Sequence, residues 1–316
     1  MKVLIYGGGS VGLGLASFLL KSETELNILA REETVSALKK DGLVRTGIFG
    51  DFTAAPSEFG CFSSLSDIPE EPYDYIIVCT KSPDSRRAAE DISGHSIFLG
   101  ENTKIIISQN GWGSAEIFSE FFAKDKIFNA RVITGYTRPR PNEVTITVHA
   151  DAIHIGSLFG VEPSGLSDIC GAISNGGMPC EITEHVEKDL WAKMLYNCAL
   201  NPLGAVLDVP YGKLAESDFT RQIMDNIVDE VFKVLDATGH QTHWSKPEDF
   251  LKVFYGRLVP DTAEHKSSTL QDILAKKKTE IEALNGAVLA LAEKHSIDVP
   301  YNRSVYNMIK FIEAKI

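Results

Sequence analysis

A chain of 316 residues is longer than one hydrophobic core usually supports, so two domains are expected. With 44% hydrophobic and 23% charged residues the composition is that of an ordinary globular protein, and the formal net charge of -12 argues against nucleic acid as a partner. No apolar stretch reaches the ~20 residues that span a bilayer, and the five cysteines form no CxxC pair, so neither a membrane protein, a disulfide framework nor a metal site is expected. A soluble, cytoplasmic protein is the reading that remains.

The chain opens "KVLIYGGGSVGLGLASFLL": a β-rich apolar run, then Gly7-x-Gly9-x-x-Gly12, then a helical pattern. In that context Gly7 permits a tight turn and Gly9 lets the backbone approach a pyrophosphate. Gly12 lets helix and strand pack closely, with the anion at the helix N-terminus. Gly7, Gly8, Gly9, Ser10, Val11 and Gly12 are therefore the candidate cofactor loop. A glycine turn that binds nothing and an S-adenosylmethionine site are the competing readings. The next run, "LNILAR", ends on Arg31, where a site preferring NAD would carry an acid for the ribose 2′-hydroxyl. A guanidinium there suits the 2′-phosphate of NADPH, although Glu32 or Glu33 could take the ribose instead.

The runs "YDYIIVCT" and "TKIIISQN" continue the strand–helix alternation of a parallel sheet. They place Lys81 and Asn110 just past strand ends, where open α/β sheets bind ligands. "NARVITGY", "EVTITVHA" and "DAIHIGS" follow at shorter intervals and are expected as antiparallel additions that close the first domain. Beyond them the pattern is helical. The expected fold class is α/β, with an N-terminal Rossmann-type dinucleotide-binding domain, residues 1–183, and an all-α C-terminal domain, residues 184–316, sharing a cleft.

In the helical half, "LWAKMLYNCALNP" carries Lys193, Asn197 and Asn201 four residues apart, hence along one slowly turning stripe. The surrounding positions are apolar, and a buried ammonium is costly unless paired. The stripe therefore suits a ligand; the alternative is that Lys193 snorkels to water and the asparagines bridge neighbours. Pro202 removes a helical N–H and is expected to kink the helix at Asn201. In the segment "SSTLQDILAKKKTEIEALNG", within the long helical run Leu270 to Ala292, Thr279 and Glu282 have capping-box spacing. That predicts a break near Lys278 and sets Glu280 in the first turn of a new helix. A continuous amphipathic helix with Glu280 solvated is the alternative.

Together "GGGSVG", Arg31, Lys81 in "CTKS", "QNGWG", "LWAKMLYNCALNPLGA" and "SSTLQDILAKKKTEIEALNG" resemble the ketopantoate reductase (2-dehydropantoate 2-reductase) family over nearly the whole chain. The resemblance implies NADPH-dependent reduction of ketopantoate to pantoate, on the route to pantothenate and coenzyme A. By position it implies Lys193 as proton donor to the substrate oxygen, with Glu280 as its catalytic partner. Asn197 and Asn201 would bind the substrate's hydroxyl side and Ser268 its carboxylate. Asn110 would place substrate against nicotinamide, and Arg31 and Lys81 would hold the cofactor. The stretches "SPDS" and "TGYTRPRPNEV" depart from the family pattern. A reductase of another branched 2-oxo acid, or a non-catalytic NADP-binding sensor, are the competing functions. The expected partner is a small-molecule 2-oxo acid, with neither nucleic acid nor membrane, and a homodimer is left open.

Overall fold

The computed structural model describes residues 1–315. The chain forms two compact units: Met1–Gln109 with Ser114–Val186, and Asn110–Gly113 with Glu187 to the end of the described chain. The first unit contains β1 (Lys2–Tyr6), β2 (Glu25–Leu29), β3 (Leu43–Gly47), β4 (Phe52–Ala54), β5 (Gly60–Phe62), β6 (Tyr73–Val78), β7 (Leu99–Ile107), β8 (Ile127–Arg131), β9 (Thr134–Arg140), β10 (Glu143–His149), β11 (Ile153–Gly156) and β12 (Cys180–Ile182). Its helices are α1 (Ser10–Lys21), α2 (Glu32–Asp41), α3 (Ser85–Gly94), α4 (Ser114–Ser119) and α5 (Ser167–Asn175).

The main sheet has the order β12-β11-β8-β7-β6-β1-β2-β5. From β5 through β8 every neighbouring pair is parallel. A parallel sheet is covered on both faces, and the continuous apolar run of β1 meets that demand. Val3 and Ile5 enter one core with Leu13 and Phe18 of α1, whereas Leu4 and Tyr6 enter the other with Ala88 and Ile92 of α3. The chain order reverses direction between β1 and β6, which makes the carboxyl ends of those strands the switch point where such sheets bind ligands.

The late strands differ from expectation. Only β11 joins the main sheet antiparallel, against β8. β9 and β10 instead build a separate four-stranded sheet with β3 and β4, in the order β4-β3-β10-β9. β10 pairs parallel with β3 and antiparallel with β9. Residue alternation specifies a half-buried strand but not which sheet it joins, and the partner segment "LVRTG" lies a hundred residues earlier.

The second unit is helical: α6 (Val186–Leu207), α7 (Tyr211–Ala215), α8 (Asp218–Thr238), α9 (Pro247–Val253), α10 (Val259–Asp261), α11 (Ser268–Leu274), α12 (Asn285–Lys294) and α13 (Pro300–Glu313). A π-helical stretch, Phe254–Leu258, joins α9 to α10. α6 is buried round most of its circumference, with Trp191, Leu195, Cys198, Ala199 and Leu200 all at 0% exposure.

Pro202 does not end the helix, and α6 runs through it to Leu207. A proline leaves the carbonyl four residues earlier without its helical donor. That carbonyl belongs to Cys198, and Asn285 Nδ2 donates to it at 3.2 Å. The same amide donates to Asn302 Oδ1 at 3.0 Å. Asn302 Nδ2 donates in turn to the Ile227 carbonyl at 3.2 Å and to Glu230 Oε2 at 2.8 Å. Glu230, from α8, also accepts the main-chain amides of Tyr301 and Asn302 at 2.8 and 2.9 Å. These are early amides of α13, so a buried carboxylate caps that helix and complements its dipole.

Glu230→Ala would strand these donors in a dry interior and is expected to destabilise the protein by about 3 kcal/mol. Glu230→Gln keeps one accepting oxygen and should lose about 1 kcal/mol. Urea titration at neutral pH checks both; equal midpoints for wild type and Glu230→Ala would show that the network carries no stability.

Candidate active site

The glycine loop is tight where backbone requires it and open where a ligand would lie. The amides of Gly7 and Gly8 donate to the Leu29 carbonyl at 3.0 and 2.9 Å, fixing the loop to β2. Gly7 has φ +115°, and a methyl group there would meet the Thr80 nitrogen at 2.7 Å. A methyl at Gly12 would meet the Gly7 carbonyl at 2.1 Å, whereas one at Gly9 would meet nothing within 4 Å. α1 starts at Ser10 without a side-chain cap or an acidic residue in its first turn. The amides of Ser10, Val11 and Gly12 are thus left without intrahelical acceptors, as a pyrophosphate site requires.

Arg31, exposed, is the N-cap of α2 just after β2. Lys81 follows β6 as the N-cap of a short 3-10 turn. The buried Gln109 holds that turn, donating through Nε2 to Thr80 Oγ1 and to the Lys81 carbonyl, both at 3.1 Å. Its Oε1 accepts from Ser85 at 2.9 Å. Gln109 was not singled out from sequence, because a buried amide at a strand end leaves no periodic signal.

Asn110–Gly113 belongs to the helical unit. Gly111 has φ +92°, and a methyl there would meet the Ala283 carbonyl at 2.4 Å. The Trp112 amide donates to that same carbonyl at 2.8 Å, and its ring lies on Trp191 with centroids 4.8 Å apart. So held, Asn110 joins two charged groups. Lys193 Nζ donates to Asn110 Oδ1 at 2.5 Å, and Asn110 Nδ2 donates to Glu280 Oε2 at 2.9 Å. The amide's orientation follows from chemistry: an ammonium only donates and a carboxylate only accepts.

One turn along α6, Asn197 is 8% exposed, and its amide has no hydrogen-bond partner among the described residues. A further turn on, Asn201 Oδ1 accepts from the Tyr211 hydroxyl, and its Nδ2 lies 3.5 Å from Ser268 Oγ. Burial, then the neighbouring Tyr196, pushes the Tyr211 phenol well above its ordinary range, which keeps it a donor. Tyr211 too escaped sequence reasoning; a single aromatic after a proline has no spacing signature. Ser268 opens α11 behind Ser267, whose hydroxyl accepts from the Leu270 amide at 3.0 Å.

The interruption near Lys278 is present, since α11 ends at Leu274 and α12 starts at Asn285. The capping box is not. Thr279 donates its amide and hydroxyl to Glu313 Oε1 at 2.8 and 2.7 Å, while Glu282 takes the Tyr306 hydroxyl at 2.9 Å and Lys310 at 2.8 Å. One acceptor and two donors from α13 outcompete the local pairing, so Glu280 sits in a turn before α12 and not in a helix; it is 7% exposed. Burial alone would raise the Glu313 carboxyl, but the Thr279 hydroxyl and amide and the Lys310 ammonium outweigh it and hold the carboxyl below its usual range.

A pyrophosphate-type glycine loop in a Rossmann-type unit, and an ammonium–amide–carboxylate chain in an all-helical unit, define a class of two-unit dinucleotide-binding proteins. Within that class the chain belongs to the ketopantoate reductase family. Residues 3–160 match the family model described as Ketopantoate reductase PanE/ApbA, and residues 185–313 match its C-terminal counterpart. The chain is 36% identical over 311 residues to the 2-dehydropantoate 2-reductase of Aquifex aeolicus, covering 98% of this chain and 96% of the relative. It is 26% identical over 314 residues to that of Halobacterium salinarum, covering 99% of each. Among solved structures, a PanE/ApbA family ketopantoate reductase from Ralstonia eutropha superposes with a TM-score of 0.86 at 25% identity, covering 100% of this chain and 99% of that one. A D-mandelate dehydrogenase bound to NADH and anilino(oxo)acetate shares the fold with a TM-score of 0.88 at 20% identity, with 100% and 99% covered. Among the described residues, no helix is long and apolar enough to cross a membrane, and no cluster of three or more His, Cys, Asp or Glu could hold a metal ion.

A depressed carboxyl contributes stability that is present above the ordinary glutamate value of ~4.3 and is lost as pH falls through the folded value. The stability gap between wild type and Glu313→Gln is therefore expected to be widest at neutral pH and to close below about pH 4. Urea midpoints across that range check it, and a gap that does not change with pH would mean that Glu313 acts by packing alone.

Proposed function

We propose that this chain reduces ketopantoate (2-dehydropantoate) to pantoate with NADPH, Lys193 serving as proton donor. The observation that carries the reading is the Lys193–Asn110–Glu280 chain, in which both partners of the amide are of the types that reduction of a 2-oxo acid calls for. The name borne by relatives that match nearly the full chain supports the substrate.

Bound at the glycine loop, the nicotinamide nucleotide supplies the hydride. Hydride addition to a ketone builds negative charge on its oxygen. The Lys193 ammonium stabilises that charge and delivers a proton to it. Asn110 orients Lys193, and Glu280 fixes Asn110 so that its carbonyl, and not its NH2, faces the ammonium. Asn197 offers an amide with donors and an acceptor unspent, which suits a substrate hydroxyl. Asn201, held by Tyr211, serves the same side, and the Ser268 hydroxyl serves the carboxylate. Arg31, in place of an acid at the end of β2, favours the phosphorylated nucleotide.

Lys193→Ala is expected to lower kcat by about a hundred- to ten-thousandfold, with NADPH binding, followed by quenching of nucleotide fluorescence, unchanged. Asn197→Ala should raise KM for ketopantoate by about tenfold or more. A panel of 2-oxo acids assayed by NADPH oxidation tests the substrate. Reduction of another acid with no turnover of ketopantoate would remove the substrate assignment and leave the reaction class standing.

A further inference from the structure

The smaller sheet sends one cation to the end of β2. Arg138, on the edge strand β9, reaches the first turn of α2, where its Nη2 donates to Thr34 Oγ1 at 2.5 Å and to the Pro141 carbonyl. Thr34 belongs to the turn that Arg31 caps: the Arg31 carbonyl accepts the amides of Thr34 and Val35 at 2.8 and 3.0 Å. Two arginines are therefore mounted on a single helical turn. Burial, most of all, pushes the Arg138 guanidinium down; Glu33 draws it up, and Arg31 pushes it down again. Its Nε is buried with no hydrogen-bond partner.

Like charges gathered on one turn repel, and one glutamate offsets one of them. The arrangement becomes favourable when a dianion joins it. Residues at the end of the second strand of a Rossmann unit face the adenosine ribose, and a phosphomonoester there carries close to two negative charges and three strong acceptor oxygens. We infer that Arg138 is a second cation for the adenosine 2′-phosphate, paired with Arg31, so that this chain selects the phosphorylated nucleotide with two guanidiniums instead of one. The inference rests on the NADPH reading above and deepens it. Arg138 also answers Glu33, whose carboxylate would otherwise repel the phosphate and favour an unmodified ribose.

The test uses the intact protein and calorimetric titration with 2′,5′-ADP and 5′-AMP, which differ only by that phosphate. Wild type is expected to bind 2′,5′-ADP far more tightly. Arg138→Gln should weaken 2′,5′-ADP by about tenfold or more and leave 5′-AMP unchanged, and Arg31→Gln should do the same. Arg138→Lys, which keeps the charge but not the fork, should fall between. Because Arg138 also ties β9 to α2, the melting temperature of each variant is measured alongside, and the Lys variant supplies the folded comparison if the Gln variant is destabilised. Undiminished 2′,5′-ADP binding in Arg138→Gln, or equal loss for both nucleotides, overturns the inference. If wild type and Arg31→Gln fail to discriminate the two nucleotides, the NADPH reading itself is overturned, and the inference with it.

Discussion

A buried helix that contains a proline must find another donor for the carbonyl it abandons, and much of the helical unit is arranged around that requirement. Asn285 supplies the donor to Cys198 and is also the first residue of α12. The turn that carries Glu280 closes directly before it, with the Glu280 carbonyl accepting the amides of Ala283 and Leu284 at 3.0 and 3.1 Å. One side chain thereby repairs the helix bearing Lys193 and anchors the turn bearing Glu280. On the other side of that turn Glu313 grips Thr279, so the carboxylate is fixed from both ends by residues remote in sequence.

Charge is organised locally in both units, and the net charge of -12 reports none of it. In the helical unit an amide lies between an ammonium and a carboxylate, polarised from both ends, where hydrogen bonds reinforce each other in a low-dielectric setting. In the Rossmann-type unit, cations gather at the end of β2 although acids outnumber bases across the chain. An acidic average disfavours a long polyanion such as nucleic acid; it does not prevent a pocket for one phosphate.

The parts of this architecture that were legible in sequence are those written in short-range spacing. Gly7 and Gly12 announce their turn because each must lack a Cβ for a neighbour only a few residues or one strand away, and Gly9, where a methyl would meet nothing, completes the spacing. Lys193, Asn197 and Asn201 show as a stripe because helical geometry maps spacing onto direction. What stayed hidden depends on partners brought in from far along the chain. The local pattern at Thr279 and Glu282 satisfies a capping box, yet Glu313, Tyr306 and Lys310 claim both side chains. Pro202 reads as a kink, and nothing local announces that Asn285 supplies a donor to the Cys198 carbonyl. Tyr211, Gln109 and Arg138 carry no periodic mark, and β9 and β10 gave no sign that β3 would draw them into a second sheet.

The four residues Asn110–Gly113 belong with the helices, while their chain neighbours Gln109 and Ser114 belong with the sheets. The helical unit is consequently not one continuous stretch of gene. Recombination between two related chains at the junction after Val186 would join one parent's Lys193 and Trp191 to the other parent's Asn110 and Trp112. The ammonium and the amide that orients it are thus inherited through different halves of the chain, and a new combination must rematch them before either is of use.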